Sequence, residues 1–334
     1  MSRLIRRSLV VAALALAFLP GRADASLTTF ATFTGNVAYS SDGFGSSSNS
    51  GTISALVPAG STVLAAYLWT ATNNNPTHAG LSATLNGNLV TFGAPVENVP
   101  ACCGLASARA DVTALVQAAV GGGGAVPFDF TIVEAAGATQ DGEALVVVYS
   151  NPLLPVATVG ILDGFASVTG DSTSINFADP LNPLAPGFFA EMIIGDAFSC
   201  GPPNCSDQRS TIRVNGTLIT ENAGNFDDGE LANGALITVG GFDDPLSAAL
   251  PTYAADREKY NLVPYVMAGD TSINVLTSNA SQDDNIFMAT FYVSGIAGVN
   301  EPPPPPRGVP DQPETLLLLG LGLAAIWAVN YRRA

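Results

Sequence analysis

Short runs rich in Val, Ile, Thr, Phe and Tyr recur along this chain between Gly, Asn, Asp and Pro, and no long amphipathic helix interrupts them. Strands are expected at 62–70, 128–133, 144–149, 156–162, 272–277 and 286–293, because β-branched and aromatic side chains suit a pleated, half-buried surface. One brief helix is expected at 112–120, where Asp111 can cap the first turn and the glycines from Gly121 to Gly124 stop it. Many short strands without crossover helices define an all-β chain, built as antiparallel sandwiches of the jelly-roll kind rather than as a parallel α/β sheet.

A weak internal duplication sets the expected domain count. Residues 83–91 and 212–220 share the pattern apolar-x-apolar-Asn-Gly-x-Leu-apolar-Thr, with Asn86-Gly87 in the first and Asn215-Gly216 in the second. Each reads as a β-hairpin closed by a type I′ turn. Downstream in each half comes a polar cap ahead of apolar residues, Asp111 before 112–116 and Asn261 before 262–266. A β-rich stretch then ends at Tyr149-Ser150 or Val293-Ser294. The repeated order predicts two tandem β-sandwich modules at 26–165 and 166–298. The boundary is expected near 163–170, with an insertion at 222–259 in the second module.

The two ends carry a different signal. Arg3, Arg6 and Arg7 precede an apolar stretch at 9–19, Pro20-Gly21 breaks it, and Ala23-Asp24-Ala25 fits a signal peptidase site. A signal peptide at 1–25, cleaved after Ala25, implies export. At the other end five consecutive prolines, Pro302 to Pro306, make 299–308 a stiff spacer. Beyond it lies a tail at 309–334: Val309-Pro310-Asp311, an apolar run of 14 residues at 316–329, then Arg332-Arg333. As a helix that run spans about 21 Å against a hydrocarbon core of about 30 Å, so it anchors the chain only marginally. Trp327 and Tyr331 sit where interfacial aromatics belong, and the terminal arginines favour a cytoplasmic carboxyl end with the body outside.

This layout resembles the PEP-CTERM class of bacterial exported proteins, whose tails carry a Val-Pro-Glu-Pro-like motif, a Leu/Gly-rich helix and terminal arginines. The resemblance covers the tail and the general plan of the chain. It implies processing by a membrane enzyme of the exosortase type and delivery to the cell surface or extracellular polymer, often in biofilm-forming bacteria. It implies nothing about the chemistry of the body. Here Asp311 stands for the family's Glu and the next proline is displaced to Pro313. A sister tail class and an uncleaved membrane anchor are the other readings.

Residues 26–308 hold 25 Asp or Glu against 6 Lys or Arg, and the only lysine is Lys259. No basic patch that could neutralise phosphates can be assembled from so few cations, so nucleic-acid binding is excluded. Acidity of this kind is an ordinary solubility device of an exported chain, and divalent cations are its other use. All four cysteines, Cys102, Cys103, Cys200 and Cys205, lie in the exported part, where disulfides persist. Three pairings are open, and zinc is the rival, although neither doublet has the usual C-x2-4-C spacing beside a second such pair.

For chemistry the chain offers little. A Ser-His-Asp triad needs a histidine; the single one, His78, lies in a loop without G-x-S-x-G context and reads as a solvated surface residue. No cofactor is expected other than calcium. Oxygen-rich clusters suit that hard cation at Asp227, Asp228 and Glu230, at Asp283 and Asp284, and at Asp243-Asp244, although Asp and Asn also end strands by bonding their own backbone. The expected function is non-enzymatic adhesion to extracellular polysaccharide or surface components. Its competitors are a carbohydrate-active enzyme on a β-sandwich scaffold and an inert spacer. Aromatics in line on one face would favour adhesion, whereas an acidic pair on a concave sheet beside aromatics would favour an enzyme. Tyr67, Trp69 and Tyr253 are the candidate aromatics, with Trp69 the most core-like.

Overall fold

The computed structural model describes residues 26–303 except 46–47, 73–77, 79, 98–104, 136–138, 198–209, 222, 224–236 and 281–284. The signal peptide with Ala23 and Ala25, the tail with Val309, Pro310, Asp311, Arg332 and Arg333, all four cysteines, and Asp227, Asp228, Glu230, Asp283 and Asp284 therefore lie outside the described residues. Among the described residues no helix is long and apolar enough to cross a membrane.

The chain is all-β, and its described strands form four antiparallel sheets. Sheet I has the order β3 (Ser50–Ala55), β9 (Phe128–Glu134), β5 (Ser82–Leu85), β6 (Asn88–Thr91). Sheet II runs β2 (Val37–Gly45), β10 (Gln140–Ser150), β4 (Thr62–Thr72), β8 (Ala106–Asp111), β7 (Val96–Glu97). Sheet III runs β1 (Thr28–Gly35), β11 (Ala157–Asp163), β19 (Asn285–Ser294), β13 (Ala190–Ala197), and β13 also carries β16 (Ile237–Val239) and β17 (Lys259–Asn261). Sheet IV runs β15 (Thr217–Glu221), β14 (Ser210–Val214), β18 (Ser272–Asn279), β12 (Asp171–Phe177), β20 (Ala297–Val299).

Three apolar cores stack these sheets in the order I, II, III, IV. Phe44, Leu68, Phe130 and Leu145 fill the space between I and II. Trp69, Val146, Phe165 and Phe287 fill that between II and III, and Met192, Ile212, Ile273 and Phe291 that between III and IV. Strand β10 shows why its sequence lacks alternation. Leu145, Val147 and Tyr149 face sheet I while Ala144, Val146 and Val148 face sheet III, so both sides are covered and every residue from Gln140 to Tyr149 is buried. Each large side chain wholly buried there, such as Trp69 or Phe287, contributes about 2 to 3 kcal/mol.

All six expected strands lie on observed ones, and the helix is α1 (Thr113–Val120). The expected cap is shifted by one residue: Val112 is the N-cap, its carbonyl accepting the Val116 N–H at 3.0 Å, and the Asp111 carboxylate just before it accepts the Thr113 N–H at 2.9 Å. Val116 and Val120 turn into the core between I and II, and Gly121, at φ 58°, ends the helix. Both Asn-Gly hairpins form, with Asn86 at φ 50° and Asn215 at φ 47°.

Strand order repeats. Sheets I and II contain the paths β3-β9-β5-β6 and β2-β10-β4-β8, while sheets IV and III contain β12-β18-β14-β15 and β11-β19-β13-β17, each label nine higher. The local caps repeat too, because Asn261 accepts the Val263 N–H at 3.0 Å just as Asp111 accepts that of Thr113. Two segments expected in the first half are placed otherwise. Both β1 and β11 precede residue 165, yet they pair with each other and, through β11, with β19. Pairing across this distance leaves no local pattern in sequence.

Candidate functional site

A pocket of about 280 Å³ opens beside β2, the end strand of sheet II, and is lined from both faces of that sheet and from sheet III. Tyr39 from β2, Tyr149 from β10, Glu191 from β13, Tyr292 from β19 and Lys259 from β17 line it, with Phe242 from the segment after β16. Strand geometry puts Tyr39 there: Val37 belongs to the core between II and III, and the period of two points Tyr39 to the same side. Its hydroxyl donates to Glu191 Oε1 at 2.9 Å, across 152 residues of sequence. The Tyr39 and Tyr292 rings meet edge to face at 5.7 Å, and Phe189 backs Tyr292 at 4.5 Å. Such ring pairs fix one another's orientation and add about 1 kcal/mol beyond their burial.

Electrostatics keep these phenols neutral. Burial first, and then Glu191, push the Tyr39 hydroxyl well above its ordinary value, and burial pushes Tyr292 up to about 12. Lys259 donates to the carbonyls of Gly241 at 2.9 Å and Asp244 at 3.1 Å, which holds its ammonium at the pocket wall. The result is an aromatic-walled recess with hydroxyl, carboxylate and ammonium groups at its rim. It can stack on the apolar face of a sugar ring and hydrogen-bond to its hydroxyls.

A second polar cluster lies at the far end of β10, between sheets I and II. Glu134 at the end of β9 and Asp141 and Glu143 at the start of β10 are 5%, 7% and 0% exposed. Burial pushes Asp141 up to about 8 and Glu134 up to about 7; it also pushes Glu143 well above its ordinary range, with the neighbouring Glu134 charge adding to the effect. A β-bulge between Gln140 and Gly142 shapes the turn of side chains here, and Gly142, at φ 148°, has no room for a Cβ against the Phe44 carbonyl.

The aromatics expected from sequence do not line up. Trp69 is wholly buried and donates its indole N–H to Asp163, whereas Tyr67 is half-buried against Phe30. Tyr253 sits in a single 3-10 turn at Tyr253–Ala255. His78 differs from expectation: its side chain is only 7% exposed, with Nε2 3.7 Å from Glu97 on the edge strand β7, whose own side chain is 48% exposed. Asp243 and Asp244 lie near Asp42, whose carboxyl burial and these two charges push up to about 7 despite the Ser54 N–H it accepts. Among the described residues no three Asp, Glu, His or Cys side chains gather in a way that could hold a metal ion.

Tyr39, Glu191 and Tyr292 are not legible as a group in sequence, being brought together only by the meeting of sheets II and III. Glu143 does leave a trace, since it shares the parity of Leu145 and Val147 and so has to face the core. No protein-family model matches this sequence, and no curated protein is detectably similar to it.

Proposed function

We propose that this protein is an exported, non-enzymatic surface or matrix protein that adheres to extracellular polysaccharide through the tyrosine-lined pocket beside β2. The observation that carries this is the pocket's chemistry: Tyr39, Tyr149 and Tyr292 as walls, with Glu191 and Lys259 as polar contacts. At about 280 Å³ it suits one sugar ring rather than a long groove. The amino-terminal segment acts as the substrate of signal peptidase and the tail as that of an exosortase-like enzyme, so the body is delivered to the cell envelope or beyond, with the apolar helix passing through the inner membrane. The repeated strand order and the paired caps support two tandem copies of one β-sandwich module as the architecture.

The enzyme reading needs an accessible acidic pair; Glu134 and Glu143, which stand together at the start of β10, are buried where a polymer cannot reach them. Calcium is a separate question for Asp227, Asp228, Glu230, Asp283 and Asp284, and a chelator arm answers it. The test is a glycan and exopolysaccharide binding screen on purified 26–308, with and without chelator, repeated on Glu191→Gln and Tyr292→Ala. Binding that both variants weaken at least tenfold supports the proposal. A screen without any ligand, or a ligand indifferent to both variants, overturns it.

A further inference from the structure

The polar cluster at the start of β10 contains an arrangement that the adhesive reading does not use. Thr70 of β4 and Glu143 of β10 are register partners, and the bulge at Asp141 brings Gln140 back toward them. Gln140 Nε2 donates to Thr70 Oγ1 at 2.9 Å and to Glu143 Oε1 at 3.0 Å. Thr70 Oγ1 lies 3.3 Å from the same Glu143 Oε1, with the Gly142 carbonyl at 3.1 Å as its other acceptor. Thr70 and Glu143 are wholly buried and Gln140 is 9% exposed. A hydroxyl, a carboxamide and one carboxylate oxygen thus meet inside the protein, each within hydrogen-bond reach of the other two. Among the described residues Gln140 Oε1 has no hydrogen-bond partner.

We propose that Thr70 and Gln140 react to form an intramolecular ester that joins β4 to β10. Glu143 takes the proton from Thr70 Oγ1, and the oxygen attacks Cδ of Gln140. The Oγ1–Cδ bond forms, the Cδ–Nε2 bond breaks, and Glu143 returns the proton to the departing nitrogen, which leaves as ammonia. Glu143 ends as it began, and no oxidant, metal or water enters the balance.

Three features favour this over a plain buried hydrogen-bond network. Both reacting groups are held beside each other by adjacent strands, which removes the entropy of bringing them together. Glu143 touches both the hydroxyl that must lose a proton and the nitrogen that must gain one; burial and the Glu134 charge favour its neutral form, so the step starts from the minority carboxylate, which is a correspondingly stronger base. Exclusion of water protects the ester from hydrolysis once formed.

The experiment is peptide mapping by mass spectrometry of the mature protein purified from the exporting cell, digested under denaturing, reducing conditions. The expected result is a β4 peptide joined to a β10 peptide, together lighter by one ammonia and separated by hydroxylamine. Intact mass alone is insufficient, because the Asn86-Gly87 and Asn215-Gly216 turns can also lose ammonia by cyclising. Glu143→Gln should abolish the link while leaving Thr70 and Gln140 in place, and Thr70→Ser should restore a linked pair that Thr70→Val cannot form. Separate β4 and β10 peptides with the Gln140 amide intact, or with Gln140 hydrolysed to a free acid, overturn the proposal. The unsubstituted protein alone decides between these outcomes, even if a variant fails to fold.

Discussion

Asn86 and Thr131 grip each other twice: the Asn86 N–H donates to the Thr131 carbonyl at 2.8 Å, and the Thr131 N–H donates to Asn86 Oδ1 at 2.8 Å. Asn215 and Asn274 repeat the same two bonds at 2.8 and 2.9 Å in sheet IV. Asparagine serves here because it tolerates the left-handed conformation and its side chain reaches the neighbouring strand. Asn86→Ala or Asn215→Ala should lose one such bond and strain the turn, lowering stability by about 1 to 2 kcal/mol each. Urea denaturation measures it; two variants as stable as the parent would mean the turns are indifferent to side chain.

Asp163 ties sheet III to sheet II. One carboxylate oxygen accepts the Trp69 indole N–H at 2.9 Å and the other accepts Arg109 Nε at 2.9 Å, while the guanidinium lies 3.2 Å over the centre of the Phe30 ring. Asp163→Ala should cost about 2 to 3 kcal/mol, because it strips partners from two donors that are largely shielded from water. A double-mutant cycle with Trp69→Phe should give a coupling of about 1 kcal/mol. Additive losses would show that the two contacts act independently.

Alkaline pH should weaken the fold. Asp141 titrates at about 8 and Glu134 at about 7 in the folded chain, both raised by burial, against about 4 when unfolded. For an acid raised in this direction the stabilisation is complete below the unfolded value and is lost as pH climbs through the folded one. Thermal midpoints should therefore fall between about pH 5 and about pH 8.5, and Asp141→Asn should flatten that slope. A midpoint that rises or stays level across the interval contradicts the assignment.

Processing of the tail has its own readout. With Pro310 and Asp311 both changed to alanine, full-length protein should accumulate in the membrane, whereas the unsubstituted chain should reach the surface or medium lighter by the mass of its apolar helix. Mass spectrometry that finds residues 316–334 still attached in the final location makes the segment a plain anchor.

Local signals translate well. Each expected strand and both Asn-Gly hairpins depend on residues within a few positions of one another, and each appears where expected. What stays hidden depends on sheets meeting. Tyr39 and Glu191 reveal nothing of their hydrogen bond in their own neighbourhoods, and the same holds for Trp69 with Asp163. His78 departs from its expected surface position for a related reason, since its partner Glu97 sits on a strand of only two residues that has no periodicity to read.

Strand β1 has a consequence for the order of events during synthesis. It is the first described strand of the chain, yet among the described strands it pairs with β11 alone, with Thr28 opposite Asp163, and its Thr29 hydroxyl contacts Asn300 and the Val299 carbonyl some 270 residues on. The earliest segment to emerge must therefore wait, unpaired, until β11, near the middle of the described chain, has followed it. In a chain made from its amino end β1 closes on β11 first, and the contacts of Thr29 with Asn300 and the Val299 carbonyl form later, like a latch. Chains arrested before β11 should leave this strand exposed to proteases and to other copies of itself, which gives synthesis through β11 a practical reason to be fast.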